Sequence, residues 1–141
     1  MTTATSSSKQ PLAIQSYESA LNIPNPLDIY GIGEATILMR LGAAYLHYGN
    51  IQKSTMHYGR AVKLITQRRT EWAVVAEESG IIVDDYQNVP DQSLARTMVN
   101  FHEYVGAGVE VMDALMLLRL MSIQCIQKIE DINRRQKVTK R

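Results

Sequence analysis

The chain has 141 residues, a net charge of +1, 45% hydrophobic and 21% charged residues, which suits one soluble globular domain with a core large enough to need no staples. Its one cysteine, Cys125, excludes an internal disulfide, and charges interrupt every apolar stretch short of the ~20 residues a membrane span needs. The near-neutral total hides segregation: residues 1–34 carry −2, 35–70 carry +6, 71–113 carry −8 and 114–141 carry +5, a pattern that bears on association within or between subunits.

Residues 1–10 are rich in Ser and Thr and hold one charge, so they read as a tail. They lack a basic start followed by an apolar run, so no secretory signal is expected and the default location is cytoplasmic. Pro11–Leu21 predicts a short helix with Leu12, Tyr17 and Leu21 inward, and Asn22-Ile23-Pro24-Asn25-Pro26 breaks it. The next helix starts under an Asp28 cap or slips to Gly33. Gly31-Ile32-Gly33 is not a phosphate loop, because it lacks a preceding strand, a third glycine and a following Lys-Ser/Thr.

Ile37, Leu38, Leu41, Ala44, Tyr45 and Tyr48 recur at helical spacing, and Gly49 can end that helix in a left-handed conformation. A second helix resumes at once, with Ile51, Thr55, Tyr58, Ala61, Val62 and Ile65 inward and Lys53, His57, Arg60 and Lys63 outward. So short a connection makes the two helices antiparallel neighbours. No acid occurs from Ala35 to Arg69, so Lys53, Arg60, Lys63, Arg68 and Arg69 form a candidate basic face.

Leu41, Gly42, Tyr45, Gly49, Ser54, Tyr58 and Ala61 give this stretch, residues 35–68, a likeness to a known family. Their spacing resembles the tetratricopeptide repeat, with Gly42, Ser54 and Ala61 at the three positions where that repeat takes a small side chain. Thr66 replaces the usual closing proline and no second copy follows at that period, so the reading is one repeat-like hairpin inside a bundle. The resemblance implies a non-catalytic adaptor, chaperone or assembly role that binds protein segments in a groove.

Residues 71–86 continue with Trp72, Val75 and Ala76 in a first half that suits a helix, divided by Gly80 from Ile81–Val83, which could be a short extended piece. Asn88–Asp91 is a second break, with Asp91 or Ser93 as the following cap. From Gln92 the chain reads helical nearly to its end, with Gly106 and Gly108 as points of kinking. Val111, Leu115, Leu118, Ser122, Cys125, Ile129 and Ile132 alternate spacings of four and three, a coiled-coil seam broadened by Met112, Met116, Leu120, Ile123 and Ile126. Such a helix needs cover from its own chain or from neighbouring subunits. Residues 134–141 read as a basic tail beyond a single helical domain over 11–133.

A Ser/Thr-rich start, a helical hairpin, an acidic middle and a long apolar C-terminal helix are also similar to type III secretion filament subunits, which implies a self-assembling, secreted subunit. A viral coat or nucleocapsid subunit is the related alternative, with the virion as its location. Nucleic-acid binding through the basic face ranks third, because the overall charge is balanced. No chemistry stands out. His47, His57 and His102 lack metal spacing, Glu77-Glu78 and Asp84-Asp85 lack calcium-loop spacing, and Cys125 lies on the apolar seam. The expectation is an all-α bundle of four to five helices, without catalytic residues, metal or cofactor, whose partner is another protein or a second copy.

Overall fold

The computed structural model of the chain describes residues 11–78 and 107–139. Four helices account for nearly all of them: α1 (Leu12–Leu21), α2 (Ile32–His47), α3 (Ile51–Glu78) and α4 (Ala107–Thr139). The fold is all-α, with no strand among the described residues. α3 is central: α2 packs on one side of it and α4 on another, while α1 lies against α2.

α1 begins just after Pro11, which cannot donate a backbone hydrogen bond and so is well tolerated at a helix start. Its buried stripe is Ile14 with Tyr17 and Leu21, packed on Ile37, Leu41, Ala44 and Tyr45 of α2. Leu12, expected inward, is 77% exposed, because the spacing that buries Ile14 turns residue 12 away. The Tyr45 hydroxyl donates to Glu18 Oε2 at 2.8 Å and ties the pair together.

The following loop is pinned at several points. Asn25 Oδ1 accepts from the Leu27 N–H at 3.1 Å. Asp28 caps α2 from three residues before the helix boundary at Gly31: Oδ1 accepts from the Gly33 N–H and Oδ2 from the Glu34 N–H, both at 2.9 Å. A carboxylate there also meets the positive end of the helix dipole. Farther along the chain, the Trp72 indole donates to the Ile29 carbonyl at 3.1 Å, and its ring lies 4.5 Å from that of Tyr30.

α2 and α3 form the expected antiparallel hairpin. Gly49, at φ 82°, turns the chain, and Asn50 Oδ1 accepts from the Lys53 N–H as α3 starts. The contact is close because small residues face each other. The Ser54 hydroxyl donates to the Gly42 carbonyl at 2.6 Å, and a Cβ on Gly42 would lie 2.7 Å from the Tyr58 ring. Ala35 and Gly42 join the buried stripe of α2, whereas Tyr48 lies beyond the helix end and is 56% exposed.

One difference on α3 has a clear cause. His57, expected outward, is 4% exposed. Its ring stacks on Tyr45 with centroids 5.1 Å apart, and Nδ1 lies 2.8 Å from the Lys53 carbonyl, so its polar edge and its face both find partners. As expected for the stretch before Gly80, residues 71–78 are helical, and Trp72 and Ala76 extend the buried stripe of α3 onto Tyr30, Val111, Ala114 and Leu115.

α4 receives its cover from this same chain. Leu115 packs with Tyr30 and Ala76, Leu118 with Ala35 and Ile65, and Cys125 and Ile132 with Leu38, Tyr58 and Ala61. Residues 134–139, read from sequence as tail, continue the helix. The N-terminal tail, the Gly80 division, Ile81–Val83, the Asp91 or Ser93 cap, helix over 92–106, Asp84-Asp85, His102 and the last two residues lie outside the described residues.

Candidate protein-binding groove

α2 and α4 each pack on α3 but meet each other only slightly. The gap between them is a groove of about 680 Å³. Its α2 wall is Ile32, Thr36, Met39 and Ala43, at the i, i+4, i+7, i+11 spacing of one helix face, and Arg40 stands beside them. Its α4 wall is Leu117, Met121 and Gln124, with Lys128 and Asp131 toward the C-terminal end. Tyr58 of α3 reaches the groove between them.

The groove has an apolar middle and a charged end. Two methionines line it, and their unbranched thioethers adapt to irregular partners. Arg40 and Lys128 are exposed, and Asp131 is held by Arg134 of its own helix. Below it, burial raises the Tyr58 hydroxyl above its ordinary pKa, with the nearby Cys125 adding to the shift. Burial also pushes the Cys125 thiol up to about 11, so neither group offers a nucleophile at neutral pH.

The residues singled out from sequence fall in three places. Leu41, Gly42, Tyr45, Ser54, Tyr58 and Ala61 are buried, with Gly42, Ser54 and Tyr58 in the direct α2–α3 contact, while Gly49 makes the turn. Val111, Leu115, Leu118, Cys125 and Ile132 are buried and Ile129 is half-buried, so this seam serves internal packing. Lys53, Arg60 and Lys63 are exposed along one side of α3. Arg68 and Arg69 are only half-exposed: Arg68 pairs with Glu71 at 3.2 Å, and its stem covers Gly31. The five bases therefore do not share one open face. Lys53 Nζ lies 5.4 Å from the centre of the Tyr45 ring, a cation–π contact at the margin of the hairpin.

Of these residues only Tyr58 lines the groove. Met39, Arg40, Met121 and Lys128 were not singled out from sequence. A signal for them exists in a second stripe beside each buried one, but a stripe of mixed Met, Thr, Ala and Gln looks like ordinary helix surface until two such stripes face each other.

Among the described residues no three His, Cys, Asp or Glu side chains gather in a way that could hold a metal ion. No described helix is long and apolar enough to cross a membrane. No family model, curated protein or solved structure matches the chain.

Proposed function

We propose that this chain is a non-catalytic helical interaction protein that holds a protein segment in the groove between α2 and α4. One observation carries the reading: two helices packed on a common third leave an open apolar channel between them, lined by Met39, Leu117 and Met121 and bordered by Arg40 and Lys128. A partner with a few apolar anchors and acidic flanks fits that chemistry, with the anchors supplying affinity and the charges supplying orientation. The likeness of residues 35–68 to a tetratricopeptide hairpin supports the same reading, because such hairpins present one helix face to a bound segment.

Peptide selection tests it. A random peptide library is selected on the full chain and scored against Ala43→Glu, a change at an exposed position in the groove. Selected peptides that bind the unchanged chain and lose at least tenfold on the variant, with apolar anchors beside acids, are the expected result. Failure to select any binder, or binders indifferent to residue 43, refutes the reading.

A further inference from the structure

We infer that the groove takes the loop between α1 and α2 of a second copy of this chain, so that copies join head to tail. This rests on the groove being a protein-binding site and names its partner. The loop has the required chemistry. Ile23 is 69%, Leu27 88% and Ile29 49% exposed, large apolar side chains on a ten-residue connection. Single exposed apolar residues need no explanation, but three on one loop that is held from below do. Asn25, Asp28, Tyr30 and Trp72 fix that loop through the contacts described above, so little conformational entropy remains to be lost on docking.

Charge agrees. Residues 11–39 contain Glu18, Asp28 and Glu34 and no Lys or Arg. The groove presents Arg40 and Lys128, with Arg134 just beyond Asp131. An apolar-crested loop flanked by Glu18 and Glu34 thus meets an apolar groove bordered by Arg40 and Lys128.

Geometry decides the mode. α1 packs on the Ile37, Leu41, Ala44 and Tyr45 side of α2, whereas Ile32, Thr36, Met39 and Ala43 face the groove. At 3.6 residues per turn these two sides are about 155° apart around α2. The loop joins the two sides and enters α2 at Ile32, at one end of the groove, yet Ile23 and Leu27 stand exposed, so they do not fill the groove of their own chain. The contact is heterologous, and each addition leaves a free loop at one end and a free groove at the other.

Sedimentation equilibrium on the full chain tests this from about 10 to 500 μM, the range suited to a small contact. The unchanged chain is expected to gain mass with concentration without stopping at a dimer, and to do so less at high salt. Leu27→Ser removes the crest and keeps the groove; Ala43→Glu blocks the groove and keeps the crest. Both positions are exposed, and circular dichroism checks that each variant is folded. Each alone is expected to shift association at least tenfold toward monomer. Mixed in equal amounts they should form a complex that stops at two chains, because one intact loop and one intact groove remain between them. An unchanged chain that stays monomeric at 500 μM overturns the inference. So does a closed dimer, assembly indifferent to either substitution, or a mixture that remains monomeric. If the chain is monomeric yet selected peptides still require residue 43, the groove reading stands and only the choice of a second copy falls.

Discussion

Gly42→Ala isolates the contact on which the hairpin depends. Exchanging glycine for alanine inside an open helix normally stabilises by roughly 0.5–1 kcal/mol, because glycine loses more backbone freedom on folding. At Gly42 the added Cβ would lie 2.7 Å from both Cδ2 and Cε2 of Tyr58 and 2.9 Å from its Cγ. Ordinary carbon contacts begin near 3.5 Å, so the ring must move by most of an ångström or the helices must part. Tyr58 has little room to retreat, since it is buried among Leu38, Ala61 and Cys125. Overpacking of this kind costs about 1–3 kcal/mol. Parting the helices also stretches the 2.6 Å Ser54–Gly42 hydrogen bond, worth roughly 1 kcal/mol. The losses exceed the gain, for a net destabilisation of about 1–3 kcal/mol and a fall in Tm of roughly 4–12 °C for a chain of this length. Gly59→Ala is the control: a Cβ there meets nothing within 4 Å, so that variant should gain roughly 0.5–1 kcal/mol. Urea denaturation read by circular dichroism, with equal m-values, measures both. If Gly42→Ala is as stable as the unchanged chain, or shifts in the same direction as Gly59→Ala, the close-approach argument fails.

Leu118→Ala should cost about 2–5 kcal/mol by leaving a cavity beside Ala35 and Ile65, whereas Ile126→Ala, at a side chain 44% exposed, should cost under about 1 kcal/mol by the same denaturation assay. Asp113 is buried with no partner for Oδ2 among the described residues, and burial raises its pKa. A carboxyl whose folded pKa is raised contributes stability at acid pH and loses it as pH climbs through that value, so Asp113→Asn should raise Tm at pH 7 and show little benefit near pH 3. The Cys125 thiol, pushed up to about 11, should resist a thiol reagent at pH 8 until the chain unfolds, and its burial should make stability fall as pH rises from about 9 toward 11. Rapid native labelling would show that the thiol is neither buried nor protonated.

Periodicity alone was enough for the helices, the Gly49 turn and the buried stripe of α4, because burial of one helix face repeats about every 3.6 residues whatever lies opposite. The small residues Gly42 and Ser54 likewise announced a close helix pair, since side-chain size is written in the sequence. Orientation at isolated positions was harder. His57 looked like an outward polar residue until Tyr45 stacked on it and a carbonyl met its edge, and Leu12 looked inward until Ile14 took the core position. That residues 71–78 are helical was legible, whereas the packing of Trp72 and Ala76 on Tyr30 and α4 was not, because those partners lie far away in the chain.

The groove lies wholly on the tertiary side of that division. Met39 and Met121 are 82 residues apart and belong to helices that hardly touch, so no local pattern joins them. What sequence determined were properties each helix carries by itself: its length, its buried face and the sizes of the residues on it. What only the tertiary structure decided was which two surfaces were left facing each other across a gap, because that depends on how both helices are positioned by the third.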